Sequence, residues 1–165
     1  MRIGIDNGIS GGLVAISDHD GSYIDGITMP SKRWRSRNEI DVLAVRKWIL
    51  AVCDGEPSKI LSVTIEEPNN SRTPSTAYSV ASSFHSLRAM LDIWEIITWH
   101  RITPQSWQKV MLPKCKAGDT KPRALALARE LWPEESFLAS PRCKVPHDGL
   151  IDAALIAEFS RRQKL

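Results

Sequence analysis

Asp6, Glu66, Asp148 and Asp152 are the residues whose types and spacing could do chemistry together in this 165-residue chain. Asp6 closes the apolar stretch Ile3-Gly-Ile5 and opens a turn containing Gly8, Gly11 and Gly12. Residues that small leave little to shield a carboxylate from a ligand laid over the turn. Glu66 follows Ile60-Leu-Ser-Val-Thr-Ile65, a strongly β-prone run, and the carboxyl end of a central strand is where α/β sheets commonly place their sites. Its neighbour Glu67 points to the opposite face, because strand side chains alternate. The position favours Glu66 for the site and leaves Glu67 a structural role. Asp148 and Asp152 lie four apart and share one helix face. The helical neighbours of Asp152 include Leu155, Ile156 and Phe159, among which an unpaired charge is costly. Asp148 also has a purely structural reading, as a helix N-cap.

None of the four has a lysine or arginine beside it in sequence. Carboxylates gathered without cations repel one another unless hard divalent ions sit between them, and Mg²⁺ binds through a few carboxylates plus substrate phosphate. Two such ions about 4 Å apart promote in-line phosphodiester hydrolysis, one activating water and the other stabilising the leaving oxygen. The expected catalytic and metal-ligating set is therefore Asp6, Glu66, Asp148 and Asp152, with two Mg²⁺ per site and Mn²⁺ as a substitute. A zinc site built from Cys115, Cys143 and His147 is disfavoured, since the spacing lacks a CxxC pair.

The net charge is only +3, but the cations cluster: Lys32, Arg33, Arg35 and Arg37 in one segment, and Lys114, Lys116, Lys121 and Arg123 in another. Basic clusters beside an acidic pocket fit a polyanionic substrate whose phosphates also meet metal ions. With Arg72, in the loop after Glu67, these residues form the expected DNA-contacting set. Trp34, inside the first cluster, is expected to anchor its loop. Hydrophobic content of 42% and charged content of 25% exclude a disordered or membrane-embedded class. No apolar run approaches the ~18 residues of a membrane span, and the N-terminus has no basic-then-apolar leader. Three widely spread cysteines favour a reduced, cytoplasmic setting.

The elements that position the acids follow from periodicity. Two strands flank the glycine turn, and residues 23–29 make a third. Residues 31–37 read as a loop, and Asn38 as the cap of a helix over 39–53. After the strand 60–65, a helix over 75–93 carries Val80, Phe84, Leu87, Leu91 and Trp94 at core spacing. Ser79, Ser82, Ser83 and Ser86 make its adjoining face small. A strand over 96–102 meets Thr103-Pro104, a strong helix start. Helices follow from Thr120 to Leu131 and from about His147 to Arg162. One α/β domain over 1–165 with a mixed sheet is expected.

Gly4-Ile-Asp6-Asn-Gly8, Thr64-Ile-Glu66, Ile102-Thr-Pro-Gln-Ser-Trp107 and His147-Asp148-Gly-Leu-Ile-Asp152-Ala-Ala-Leu occur in this order and at suitable spacings. Together they resemble the RuvC family of Holliday junction resolvases, in particular its compact phage-type members, over about residues 1–160. The resemblance implies a ribonuclease H-like fold, with a five-stranded mixed sheet flanked by helices. It also implies a homodimer that nicks two opposing strands of a four-way DNA junction, leaving 5′-phosphate and 3′-hydroxyl ends, in a bacterial or phage-infected cell. By position it matches Asp6, Glu66 and Asp152 to the family's acids and Asp148 to the additional one. His147 is a contender for the earlier position, since a histidine can stand there. The loop Pro68-Asn-Asn-Ser-Arg-Thr-Pro holds no aromatic where bacterial members carry one.

Three other readings are open. The turn Asp6-Asn-Gly8 with Gly11-Gly12 also resembles the first phosphate loop of actin-like sugar kinases, but 165 residues hold neither their duplicated domain nor their second loop. A fold that binds structured DNA without cutting it is disfavoured by the presence of all four acids. A related Mg²⁺ nuclease acting on flaps, replication forks or RNA–DNA hybrids shares the metal site and differs only in the surrounding surface.

Overall fold

The computed structural model describes residues 1–35, 37–68, 73–94, 98–113 and 118–165. Its main sheet has five strands: β1 (Arg2–Asp6), β2 (Gly12–Ile16), β3 (Tyr23–Thr28), β6 (Ser62–Glu66) and β7 (Trp99–Ile102), in the order β3-β2-β1-β6-β7. β1 pairs antiparallel with β2 and parallel with β6; β2–β3 is antiparallel and β6–β7 parallel. The expected mixed sheet is present.

Alternation along the strands sorts residues onto two faces. Ile3, Ile5, Leu13, Ala15, Val63 and Ile65 enter a core with α1 (Val42–Val52) and α2 (Pro74–Ile93). Val14 and Ile16 enter the opposite core with α3 (Pro104–Met111), α4 (Thr120–Leu131) and α5 (Asp148–Gln163). The even-numbered residues of β1 and β6 belong to the α5 side. Thr64 Oγ1 donates to Ser160 Oγ of α5 (2.9 Å), and Arg2 reaches Ser62 Oγ (2.9 Å). Asp6 and Glu66, also even-numbered, lie at the carboxyl ends of adjacent parallel strands on this side.

Glycine sets how closely α5 approaches. A Cβ on Gly4 would come within 2.1 Å of the Ala153 carbonyl oxygen, and one on Gly149 within 2.5 Å of the Gly11 backbone. Helix and sheet therefore touch backbone to backbone at both points. Phe84, Leu87 and Leu91 of α2 are buried in the core, as their spacing predicts. Thr103 caps α3 by accepting from the Ser106 amide, with Pro104 at the first helical position.

Residues 31–34 and 37 are strand rather than loop. They belong to a separate hairpin, β4 (Ser31–Trp34) paired with β5 (Arg37–Ile40). Its strand residues are exposed except Ile40, so no apolar face marks it in sequence. The hairpin takes up Asn38, and the following helix starts later, with Asp41 as N-cap accepting from the Ala44 amide at 3.2 Å. Trp34 does not anchor anything: it is 59% exposed. Thr120 is the first residue of α4 and Asp119 its cap. Among the described residues no helix is long and apolar enough to cross a membrane.

Candidate active site

Register brings Asp6 and Glu66 together, since Ile5 lies opposite Ile65 in the parallel β1–β6 pair. The glycine contacts lay the first two turns of α5 over them. The charges feel one another. Burial first, then Asp6 and Asp152, push the Glu66 carboxyl up to about 7. Burial, then Asp6 and Asp148, push Asp152 up to about 7, with Lys121 opposing. Asp6 is raised mainly by burial; the Gly8 amide, which donates to its Oδ1 at 3.2 Å, and the nearby His147 work the other way. Three carboxylates from β1, β6 and α5 thus share one half-buried place, and all three resist ionising there.

The fixing contacts join residues far apart in sequence. The Trp107 indole Nε1 donates to Glu66 Oε2 at 2.7 Å. Trp107 is fully buried in α3, so the glutamate is held by a rigid donor. The Asn7 side-chain amide donates to the Glu66 backbone carbonyl. Glu67 faces away and ion-pairs with Arg101 at 3.3 Å, matching the alternation argument. Trp107 closes the motif Ile102-Thr-Pro-Gln-Ser-Trp107, but the spacing of the acids gave no sign that it would hold Glu66.

Asp148 is exposed, unlike the other three, though its charge still acts on Asp152. It is not the N-cap of α5; His147 takes that position, with no side-chain capping bond. The Asp148 carboxylate is hydrogen-bonded and ion-paired with the Lys121 ammonium of α4. A cation absent from the acids' sequence neighbourhood is therefore supplied through space, and Lys121 sits at the site rather than only on a distant DNA-facing surface. His147 Nδ1, by contrast, is buried and has no hydrogen-bond partner.

Among the described residues no group of three or more His, Cys, Asp and Glu side chains closes on a single point as a ready metal cage. A hydrated Mg²⁺ uses one or two carboxylates and completes its shell with water and phosphate oxygens. The mutual repulsion of Asp6, Glu66 and Asp152 and the unpartnered His147 nitrogen are the features a divalent cation would relieve. Cys143 is a free thiol whose sulfur lies 3.4 Å from Ser140 Oγ, and Cys115 lies outside the described residues.

Of the expected DNA-contacting residues, Lys32, Arg33, Arg35 and Arg37 are exposed on the β4–β5 hairpin. Lys121 and Arg123 are exposed on α4. Arg72, Lys114 and Lys116 lie outside the described residues.

A sheet in this order, with two antiparallel and two parallel pairings and helices on both faces, is the ribonuclease H-like fold. Solved structures that it matches include two of RuvC. RuvC of Thermus thermophilus in complex with Holliday junction substrate matches with a TM-score of 0.59 at 18% identity, over 99% of this chain and 95% of that one. The Thermus thermophilus RuvC structure matches with a TM-score of 0.56 at 19% identity, over 99% and 96%. No protein-family model and no curated protein sequence matches the chain. The likeness is one of fold.

Proposed function

We propose that this chain is a Mg²⁺-dependent endonuclease that resolves four-way DNA junctions by paired symmetric nicks, leaving 5′-phosphate and 3′-hydroxyl ends. The observation that carries the reading is the gathering of Asp6, Glu66 and Asp152 from three separate elements onto one face of a RuvC-type fold. One of the matched RuvC structures is a complex with Holliday junction substrate, which supports branched DNA as the substrate class.

Two magnesium ions, when bound, supply the activation of water and the stabilisation of the leaving oxygen. Asp6, Glu66 and Asp152 would hold them, with either Asp148 or His147 completing the set. The Asp148 carboxylate is already paired with Lys121, and His147 Nδ1 is the buried nitrogen without a partner; these two facts favour His147. Trp107 keeps one oxygen of Glu66 oriented, leaving the other for a ligand. Lys121, freed from Asp148, would meet a substrate phosphate.

Junction symmetry calls for two such sites related by a two-fold axis, which a homodimer supplies most simply. The serine side of α2, where Ser82 and Ser86 are exposed, is part of the proposed contact. A cytoplasmic protein acting as one domain over its 165 residues completes the reading. The test sets a four-way junction beside a flap, a fork and an RNA–DNA hybrid of matched sequence, each with Mg²⁺ or with chelator. Fastest metal-dependent cutting of the junction is expected. Faster cutting of another substrate would keep the metal chemistry and replace the substrate.

A further inference from the structure

The motif Ile102-Thr-Pro-Gln-Ser-Trp107 and the residue after Asp6 converge on Glu66. The β1–β6 register ends at Ile5 opposite Ile65, and the chain then turns back, with the Gly11 amide donating to the Gly8 carbonyl at 2.8 Å. The Glu66 carbonyl is thereby left beyond the last paired residue of β1. The Asn7 side chain fills the gap: its amide donates to that carbonyl, and Asn7 is only 4% exposed. On the other side of β6, the Glu67 amide donates to the Ile102 carbonyl at 2.7 Å. From Ile102 the chain passes through the Thr103 cap into α3, which turns the Trp107 indole back onto Glu66 Oε2 at 2.7 Å. Trp107 is fully buried, packed into the core beneath α5.

We propose that Asn7 and Trp107 are positioning residues that clamp Glu66, one by its backbone and the other by its carboxylate, and so hold its second oxygen ready for a divalent cation. Neither stands in for a ligand of the ion. An indole N–H can only donate, and a backbone carbonyl can only accept, so Asn7 meets it through its NH₂ group. What the clamp opposes is charge: Asp6 and Asp152 both repel Glu66 in the metal-free site. A glutamate tethered at one end only would swing away from them on its flexible side chain. Mg²⁺ demands near-ideal octahedral geometry at about 2.0–2.1 Å, so a carboxylate that must first be brought back binds it more weakly. Partners of this kind set metal affinity by about 10- to 100-fold. The inference rests on the reading of Asp6, Glu66 and Asp152 as metal ligands.

The experiment titrates Mn²⁺ into the full chain without DNA and follows the free-ion signal by electron paramagnetic resonance, beside melting curves in chelator. Asn7→Ala and Trp107→Phe are each expected to weaken Mn²⁺ binding at least about tenfold. Phenylalanine keeps most of the buried ring and removes the N–H, so that variant isolates the donor. The double variant should lose less than the product of the two single losses, because either release already frees the carboxylate. Junction binding in chelator should be unchanged, since both side chains are buried. A merely structural role would lower the melting temperature and leave the Mn²⁺ midpoint where it is. Glu66→Gln, which removes the ligand itself, marks the full loss.

Mn²⁺ binding that Glu66→Gln weakens but either Asn7→Ala or Trp107→Phe leaves unchanged would overturn the clamp alone. Losses that multiply in the double variant would overturn it too. Absent Mn²⁺ binding by wild type, or binding that Glu66→Gln leaves intact, would sink the metal-site reading and the clamp with it. Mn²⁺ binding that depends on Asn7 and Trp107, without any cutting of a junction by wild type, would sustain the clamp and sink the resolvase reading alone.

Discussion

Replacing Asp152 with asparagine should make the metal-free protein more stable while removing its activity. Burial and the neighbouring Asp6 and Asp148 hold the Asp152 carboxyl up at about 7, whereas an unfolded aspartate titrates near ~3.9. The folded state therefore binds the extra proton. This contribution is full below about pH 4 and is lost as pH rises through about 7. The gap between an unfolded value of ~3.9 and a folded value of about 7 corresponds to about 4 kcal/mol, at about 1.4 kcal/mol per pH unit. That is an upper bound, since Asp152 shares its repulsion with Asp6 and Asp148 and part of the site is open to water. About half of it, ~2 kcal/mol, is the working magnitude.

Asparagine never ionises, so Asp152→Asn should melt about 4–8 °C above wild type at pH 8 in chelator, with the difference shrinking towards pH 4.5. Added Mg²⁺ should raise the wild-type melting temperature and leave the variant nearly unchanged. Circular-dichroism melts from pH 4.5 to 8.5 read this directly. A variant no more stable than wild type at pH 8, or a difference independent of pH, would refute the reasoning.

The same logic extends to the other acids. Asp6→Asn and Glu66→Gln should each lower Mg²⁺-dependent cleavage at least about a hundredfold with DNA binding retained, while Glu67→Gln stays within about threefold because its partner is Arg101; equal losses at Glu66 and Glu67 would overturn the strand assignment. Gly4→Ala should cost about 1–3 kcal/mol of stability and much of the activity. The new methyl group meets the backbone of α5 at 2.1 Å and lifts Asp152 away from Asp6; thermal melts and cleavage rates check both. Neutralising Arg33 and Arg35 together should lower the slope of log K against log salt by about 1.8 on duplex arms if each contacts one phosphate; an unchanged slope would remove the hairpin from the interface.

The central strands of the sheet were legible because Ile3, Ile5, Val63 and Ile65 alternate with smaller or polar partners, and burial on one face is what alternation records. The Thr103-Pro104 helix start was legible because capping chemistry is local. The β4–β5 hairpin was not. Lys32, Arg33, Arg37 and Glu39 face water, so backbone pairing holds them together without any hydrophobic period. Asp6 and Glu66 drew notice as carboxylates at the ends of apolar strands, and the β1–β6 register places them side by side. The contacts that tune them were hidden for a different reason. Trp107 reaches Glu66 across 41 residues and Lys121 reaches Asp148 across 27, and neither pair has a spacing that sequence alone can read.

The proposed function is a symmetric, metal-dependent resolution of branched DNA. Its most direct test is a four-way junction with each of its strands end-labelled in turn, incubated with the protein and Mg²⁺, the products then being offered to a ligase. Nicks are expected at two-fold-related positions on opposing strands, absent in chelator and sealed by the ligase. Cuts confined to one strand, or ends that the ligase cannot seal, would contradict it.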